Sequence, residues 1–216
     1  MIQAVFFDLD GTLVDSAPDM IEAMRRLRVE QGESPAGAEA IGAVVSKGGC
    51  AMIRRGFPAA DEARVEELLP RFLELYAQAI AAHATLFPGM NDVLAALETR
   101  GVAWGIVTNK PGNLARALLA ALALDGRCAA LVTGDCLPLK KPDPAPILRA
   151  CEIAGVAAAH CIYVGDDLRD IEAGRAAGMR TIAAGWGYLD GEDPQHWGAD
   201  CVIDSPVRLL PAFGLD

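Results

Sequence analysis

The chain has 216 residues, 52% of them hydrophobic and 22% charged, with a formal net charge of −10. This is the composition of a packed globular protein, either one ordinary domain or one domain carrying a smaller insertion, and it excludes a disordered chain. Lys and Arg are scattered, which excludes nucleic acid and anionic membrane surfaces as partners, since both need a basic face; a small anionic substrate, held by local positive charge or a metal, remains.

The first apolar run, 2–7 "IQAVFF", reads as a strand that leads straight into Asp8 and Asp10. Residues i and i+2 share one face of a strand, so continuation through Asp10 would set two carboxylates side by side. Residues 16 to about 85 contain no convincing strand but two amphipathic stretches, the first being "DMIEAMRRLRVEQG", ended near Gly32. In the second, "EARVEELLPRFLELYAQAI", Val65, Leu68, Leu69, Phe72, Leu75, Tyr76, Ala79 and Ile80 fall at i, i+3, i+4 and i+7 spacing. A loop of about seventy residues is implausible in a compact domain, so this segment is read as a small helical insertion. "FPGM" at 87–90 marks the return to the sheet.

From about residue 90 strands and helices alternate: strands at 102–107, 129–133, 161–164 and 180–184, helices at 113–124, 145–155 and 168–177, the last closed by Gly178. Continuous hydrophobicity in the strands predicts burial on both faces, and the alternation predicts a doubly wound, Rossmann-like α/β parallel sheet. The apolar run 114–124 is too short to span a bilayer and contains Arg116. The N-terminus lacks the pattern of a signal peptide, and the six cysteines form no C-x-x-C pair. A cytoplasmic protein with reduced, buried thiols and no membrane partner is expected.

Ligands of open α/β sheets bind beyond the carboxyl ends of the strands, so the residues just after each apolar run carry the information. These are Asp8, Asp10, Gly11 and Thr12; Thr108, Asn109 and Lys110; and Gly165, Asp166, Asp167 and, a turn later, Asp170. Lys140 and Lys141 precede Pro142 in the connection after 129–133. Each has a plain alternative: Thr108 or Asn109 as a helix cap, Asp166 or Asp167 as another, Lys141 as a solvated loop lysine. Asp8 with Asp10 resists one. Two carboxylates beside buried apolar residues repel, and a divalent cation removes the conflict. Mg2+ prefers hard oxygen ligands, and Asp166 can complete the set.

Taken together, "DLDGT" at 8–12, "VTN" at 107–109, "KPDP" at 141–144 and "GDDLRD" at 165–170 resemble the four ordered motifs of haloacid dehalogenase-like phosphohydrolases. "WGIVTNKP", "KPDPAPI", "GDDLRDIEAGRAAG" and "HWGAD" are similar to the phosphoglycolate phosphatase branch, and within it to the N-acetylmuramic acid 6-phosphate phosphatases. The resemblance implies a catalytic core at 1–15 and 86–216, with 16–85 as a helical cap domain inserted after the first strand. It also implies Mg2+-dependent hydrolysis of a small phosphorylated metabolite, phosphoglycolate or N-acetylmuramic acid 6-phosphate, by a monomer or homodimer.

Under this resemblance Asp8 is the nucleophile that becomes an aspartyl-phosphate, and Asp10 is the general acid and base. Mg2+ is held by Asp8, the Asp10 backbone carbonyl and Asp166, with Asp170 a water-mediated ligand or an orienting group. Thr108 and Lys141 bind the transferring phosphoryl oxygens, Lys141 being favoured over Lys140. Thr12 and Asn109 join the substrate-binding set. "VSKGG" at 45–49 is similar to the cap's specificity loop, which adds Ser46, Lys47 and Gly48, with Arg54 a further candidate. Asp167 stands where related proteins often carry Ser, and His83, His160 and His196 match no core motif. The alternatives are a sugar phosphomutase on the same core and, from another class, a phospho-accepting receiver module, which normally lacks "DGT", a second Asp two residues on, and a cap. "GWGYLDG" at 185–191 lacks the third glycine of a dinucleotide-binding loop.

Overall fold

The computed structural model describes residues 2–215. The chain opens with β1 (Ala4–Phe7) and the two-residue β2 (Val14–Asp15), then passes through α1 (Ala17–Glu30), consecutive 3-10 turns (Ala38–Lys47), α2 (Gly49–Gly56) and α3 (Glu62–Gln78). It returns through β3 (Thr85–Leu86) and α4 (Met90–Thr99), and alternates from there: β4 (Ala103–Val107), α5 (Gly112–Ala121), β5 (Ala130–Val132), α6 (Ala145–Ala154), β6 (Cys161–Gly165), α7 (Leu168–Ala176) and β7 (Arg180–Ala184). β8 (Cys201–Ile203) and α8 (Leu209–Phe213) close it. No helix among the described residues is long and apolar enough to cross a membrane.

Six strands form one parallel sheet in the order β5-β4-β1-β6-β7-β8. β1 lies at its centre, and the alternation of side chains sends Val5 and Phe7 to one face and Ala4 and Phe6 to the other. Val5 and Phe7 share a cluster with Trp104 and Ile106 under α4, α5 and α8, while Ala4 and Phe6 pack with Tyr163 under α6 and α7. Helices thus cover both faces, as the unbroken hydrophobicity of the strands predicts. The order reverses at β1, which makes the carboxyl ends of β4, β1 and β6 the switch point where such sheets hold ligands.

The helical segment carries a separate cluster, with Met24, Leu27, Ile41, Ile53, Phe72 and Leu75 at its centre. The apolar stripe of 62–80 is the face α3 buries, and Asp61 caps that helix by accepting from the Arg64 N–H. One expectation changes here, and one feature at the segment's ends is new: Val14–Asp15 pairs antiparallel with Thr85–Leu86. This ribbon is too short to show a period in the sequence. The changed expectation is that β1 ends at Phe7, so Asp8 and Asp10 lie in the following loop and not on one strand face.

Asp19, fully buried on α1, accepts from the backbone N–H of His83 (2.7 Å) and Ala84 (3.2 Å), and so fixes the exit of the helical segment beside its entry. Asp19→Ala leaves both donors unpaired and is expected to cost about 2 kcal/mol in a urea unfolding series.

Candidate active site

The loop after β1 turns at once: Gly11 N–H bonds the Val14 carbonyl, and Leu13 and Val14 N–H groups both return to Leu9. Gly11 has φ +85°, and a Cβ there would stand 2.1 Å from Asp166 Oδ2. Only glycine satisfies both the backbone conformation and the approach, which is the physical content of the "DGT" motif.

Asp8 after β1, Asp166 after β6 and Asp170 in the first turn of α7 are buried, and each offers a carboxylate oxygen within 4.8 Å of the others. Burial and the neighbouring Asp8 charge push the Asp166 carboxyl up to about 8. Burial likewise raises Asp170 to about 7, against the opposing pull of Lys141. Asp8 Oδ1 is buried with no hydrogen-bond partner. Lys141 Nζ lies 2.8 Å from it, a charge contact out of hydrogen-bond alignment. A donor set made only of buried carboxylate oxygens, one of them orphaned, fits a hard divalent cation such as Mg2+.

The Asp10 carboxylate stands outside this cluster, contrary to the expected pairing with Asp8. It accepts from Lys110 Nζ (2.9 and 3.2 Å) and Ser16 Oγ (2.5 Å). The cause is the loop: once the chain leaves β geometry after Phe7, the i, i+2 rule no longer sets direction. The Asp10 backbone carbonyl faces the helical segment and accepts from Ser46 Oγ (3.1 Å).

Lys141 is buried; its Nζ donates to the Val107 carbonyl (2.8 Å) and bonds the Tyr163 hydroxyl (2.9 Å), and it forms an ion pair with Asp170 Oδ1 at 2.6 Å. Burial opposes its charge, yet Asp170 and Asp8 hold it protonated, well above the usual lysine range. Lys140 is exposed. Asn109 brackets the Lys141 backbone, donating to its carbonyl and accepting from its N–H at 3.1 Å each. Thr108, buried at the end of β4, accepts the Lys110 N–H on its hydroxyl. Neither residue caps α5, whose N-cap is Pro111. Thr12 is fully buried, and its hydroxyl donates to Asp166 Oδ1 (2.8 Å), so it steadies a carboxylate and does not line the cavity. Asp167 caps α7, with Asp170 Oδ2 accepting its N–H in return.

A cavity of about 350 Å3 separates these groups from the helical segment. Ser46, Lys47 and Gly48 reach its wall. Ser46 Oγ donates to Asp166 Oδ2 (2.7 Å), and Lys47 pairs with Glu192 (2.7 Å) and Asp190 (3.3 Å). Arg54 lies outside the lining and is held at the surface by Glu62. No histidine lines the cavity, and all six cysteines are free.

Sequence reasoning missed the partners of Lys110 and the whole role of Arg169. Lys110 Nζ bonds Asp10 and the Tyr76 hydroxyl (2.9 Å), linking the sheet rim to α3. Arg169 pairs with Asp167 and donates to the Ser46 carbonyl (2.7 Å). Tyr76 reads in the sequence as one more apolar stripe residue, and nothing local distinguishes Lys110 from a solvated lysine. Lys110→Met removes the cation from a buried pair and is expected to cost about 3 kcal/mol, read from chemical unfolding of purified protein.

A family model described as "Haloacid dehalogenase-like hydrolase" matches residues 5–184. A phosphoglycolate phosphatase from Xanthomonas campestris pv. campestris is 47% identical over 208 residues, covering 96% of this chain and 94% of its own. An N-acetylmuramic acid 6-phosphate phosphatase from Pseudomonas aeruginosa is 41% identical over 211 residues, covering 97% and 93%. The crystal structure of a predicted phosphoglycolate phosphatase from Haemophilus somnus superposes with a TM-score of 0.87 at 25% identity, covering 98% of this chain and 97% of that one. Motifs, fold and relatives agree along nearly the full length: this chain belongs to the haloacid dehalogenase-like hydrolase family and is a phosphatase.

Proposed function

We propose that the protein hydrolyses a small phosphorylated metabolite in two steps through an aspartyl-phosphate on Asp8. The observation that carries this reading is the buried convergence of Asp8, Asp166 and Asp170 on one point, with Lys141 beside them. In the first step an Asp8 oxygen attacks phosphorus in line, the bond to the ester oxygen breaks, and Asp10 gives its proton to the departing alkoxide. In the second, Asp10 takes a proton from water as that water attacks the phosphoryl group, and Asp8 leaves as a carboxylate. Thr108 and Lys141 hold the phosphoryl oxygens, where charge stabilisation contributes most.

Asp8, Asp166, Asp170 and the Asp10 carbonyl would hold Mg2+, which when bound neutralises the carboxylates and the phosphoryl charge. Thr12 and Ser46 steady Asp166, and Asn109 fixes the segment that presents Lys141. In this reading 1–15 and 86–216 are the catalytic core and 16–85 is the cap, whose Ser46, Lys47 and Gly48 meet the non-reacting part of the substrate and exclude water. The relatives point to phosphoglycolate or N-acetylmuramic acid 6-phosphate as the ester.

Phosphate release with Mg2+ tests the chemistry. Asp8→Asn is expected to lower kcat at least ~10³-fold, because no neighbouring carboxylate is placed to attack in its stead. Accumulation of a bisphosphate in place of free phosphate would move the assignment to a mutase. Mg2+ at about 100 times its dissociation constant stabilises by about 2.7 kcal/mol. For a chain of this size that corresponds to a Tm rise of about 5–10 °C, expected in the wild type and absent in Asp166→Asn.

A further inference from the structure

Lys110 is a buried lysine, although the amine proposed to bind the phosphoryl group is Lys141. Its backbone is pinned to the end of the sheet: the N–H donates to the Thr108 hydroxyl (3.1 Å), and the carbonyl accepts from the Gly134 N–H (2.9 Å). From this base Nζ meets three oxygens, Asp10 Oδ1 (2.9 Å), Asp10 Oδ2 (3.2 Å) and the Tyr76 hydroxyl (2.9 Å). An ammonium group has three N–H donors, so all of them are engaged and none is left for a ligand. Lys110 therefore acts on the reaction through Asp10.

Tyr76 supplies the far end of this chain of contacts. It is buried on α3, its hydroxyl accepts from Lys110 Nζ, and that Nζ lies 4.5 Å from the centre of its ring. Burial and the Asp10 charge hold the phenol far above its usual range, so it stays a neutral hydroxyl. Phenylalanine would serve the apolar stripe of α3 equally well, and among the described residues the hydroxyl bonds Lys110 alone. Asp10, in turn, is held unevenly. Oδ1 takes the shorter Lys110 contact and the Ser16 hydroxyl (2.5 Å), whereas Oδ2 takes only the longer Lys110 contact. Oδ1 is the anchored oxygen, which leaves Oδ2 to carry a proton.

We infer that Lys110 and Tyr76 are positioning residues for the acid–base carboxyl: they anchor Asp10 at Oδ1 so that Oδ2 exchanges its proton first with the ester oxygen and then with water. This deepens the hydrolase reading and rests on it. The Oδ2–H bond breaks as the departing oxygen takes the proton, and it forms again when water attacks the aspartyl-phosphate. Orientation fixed in advance is what makes such a transfer efficient. One consequence concerns α3. Through the Tyr76 hydroxyl this helix of the inserted segment contributes to proton transfer as well as to enclosing the cavity.

The leaving group reads this role. An alkoxide must be protonated as it departs, whereas p-nitrophenolate leaves as a stable anion, and kcat/KM reports the steps up to that departure. The measurement is kcat/KM with Mg2+ for p-nitrophenyl phosphate and for the faster of 2-phosphoglycolate and N-acetylmuramic acid 6-phosphate, with Asp8→Asn as blank. In Asp10→Asn the alkyl-to-aryl ratio is expected to fall about 10²- to 10⁴-fold. The same ratio is expected to fall about 10- to 100-fold in Lys110→Met and about 3- to 10-fold in Tyr76→Phe, which keeps the packing of α3. Adding Tyr76→Phe to Lys110→Met is expected to lower it no further. Equal loss on both esters in the two single variants, or an unchanged ratio, reduces the pair to structural support and overturns the inference while the hydrolase reading stands. Additive falls in the double variant also overturn it, because Tyr76 then does not act through Lys110. An unchanged ratio in Asp10→Asn withdraws the acid–base role of Asp10 and the inference with it. Absence of Asp8-dependent phosphate release from every ester overturns the hydrolase reading as a whole.

Discussion

Three carboxylates and one ammonium group enclosed at the end of a parallel sheet are the constraint on which the rest of this structure depends. Water cannot screen them there, so Asp8, Asp166 and Asp170 repel one another strongly, and Lys141 offsets only part of that repulsion. The surrounding residues hold them in place. Thr12, Ser46 and the Tyr188 N–H bond Asp166, while Asn109, Tyr163 and the Val107 carbonyl fix Lys141. Burial first, and the neighbouring carboxylates second, raise the Asp166 and Asp170 carboxyls, and a divalent cation is the species best able to offset both.

The same constraint explains how the helical segment is seated. Its apolar cluster is built mostly from its own helices, with Leu114 of α5 and Tyr188 joining from the core. Polar contacts also tie it to the rim: Ser46 to Asp166 and to the Asp10 carbonyl, Tyr76 to Lys110, Lys47 to Asp190 and Glu192, and Arg169 back to the Ser46 carbonyl. Groups that hold the segment down are thus bonded to the proposed catalytic carboxylates. Such contacts exchange more readily with water than a shared apolar core, as a part that must admit and enclose substrate requires.

Much of the active-site inventory was legible because the motifs sit where strand periodicity stops. The strands formed by the apolar runs at 2–7, 102–107 and 161–164 end at Phe7, Val107 and Gly165, and the polar residues immediately after them line the site or steady it. Gly178 could be read as a helix terminator, and it closes α7 with N–H groups of Gly178 and Met179 returning to Arg175 and Gly174. The two-residue ribbon of β2 and β3 and the short edge strand β8 were not legible, since neither is long enough to show a period.

Local pattern and chain order are enough to set the parallel α/β architecture, the helical interruption after the first strand, and the order in which acidic, hydroxyl and amine groups meet the rim. These follow from local periodicity and from chain order, which any fold of this sequence must respect. The tertiary structure alone decided that Asp10 turns to Lys110 and Ser16 while Asp170 joins Asp8 and Asp166, and that Tyr76 meets Lys110. It alone decided that α3 gives Leu69 of its apolar stripe, and Leu73 beside it, to the cavity as well as Phe72 and Leu75 to the core. Loop direction and the pairing of buried charges depend on elements far apart in the chain, and no local pattern carries that information.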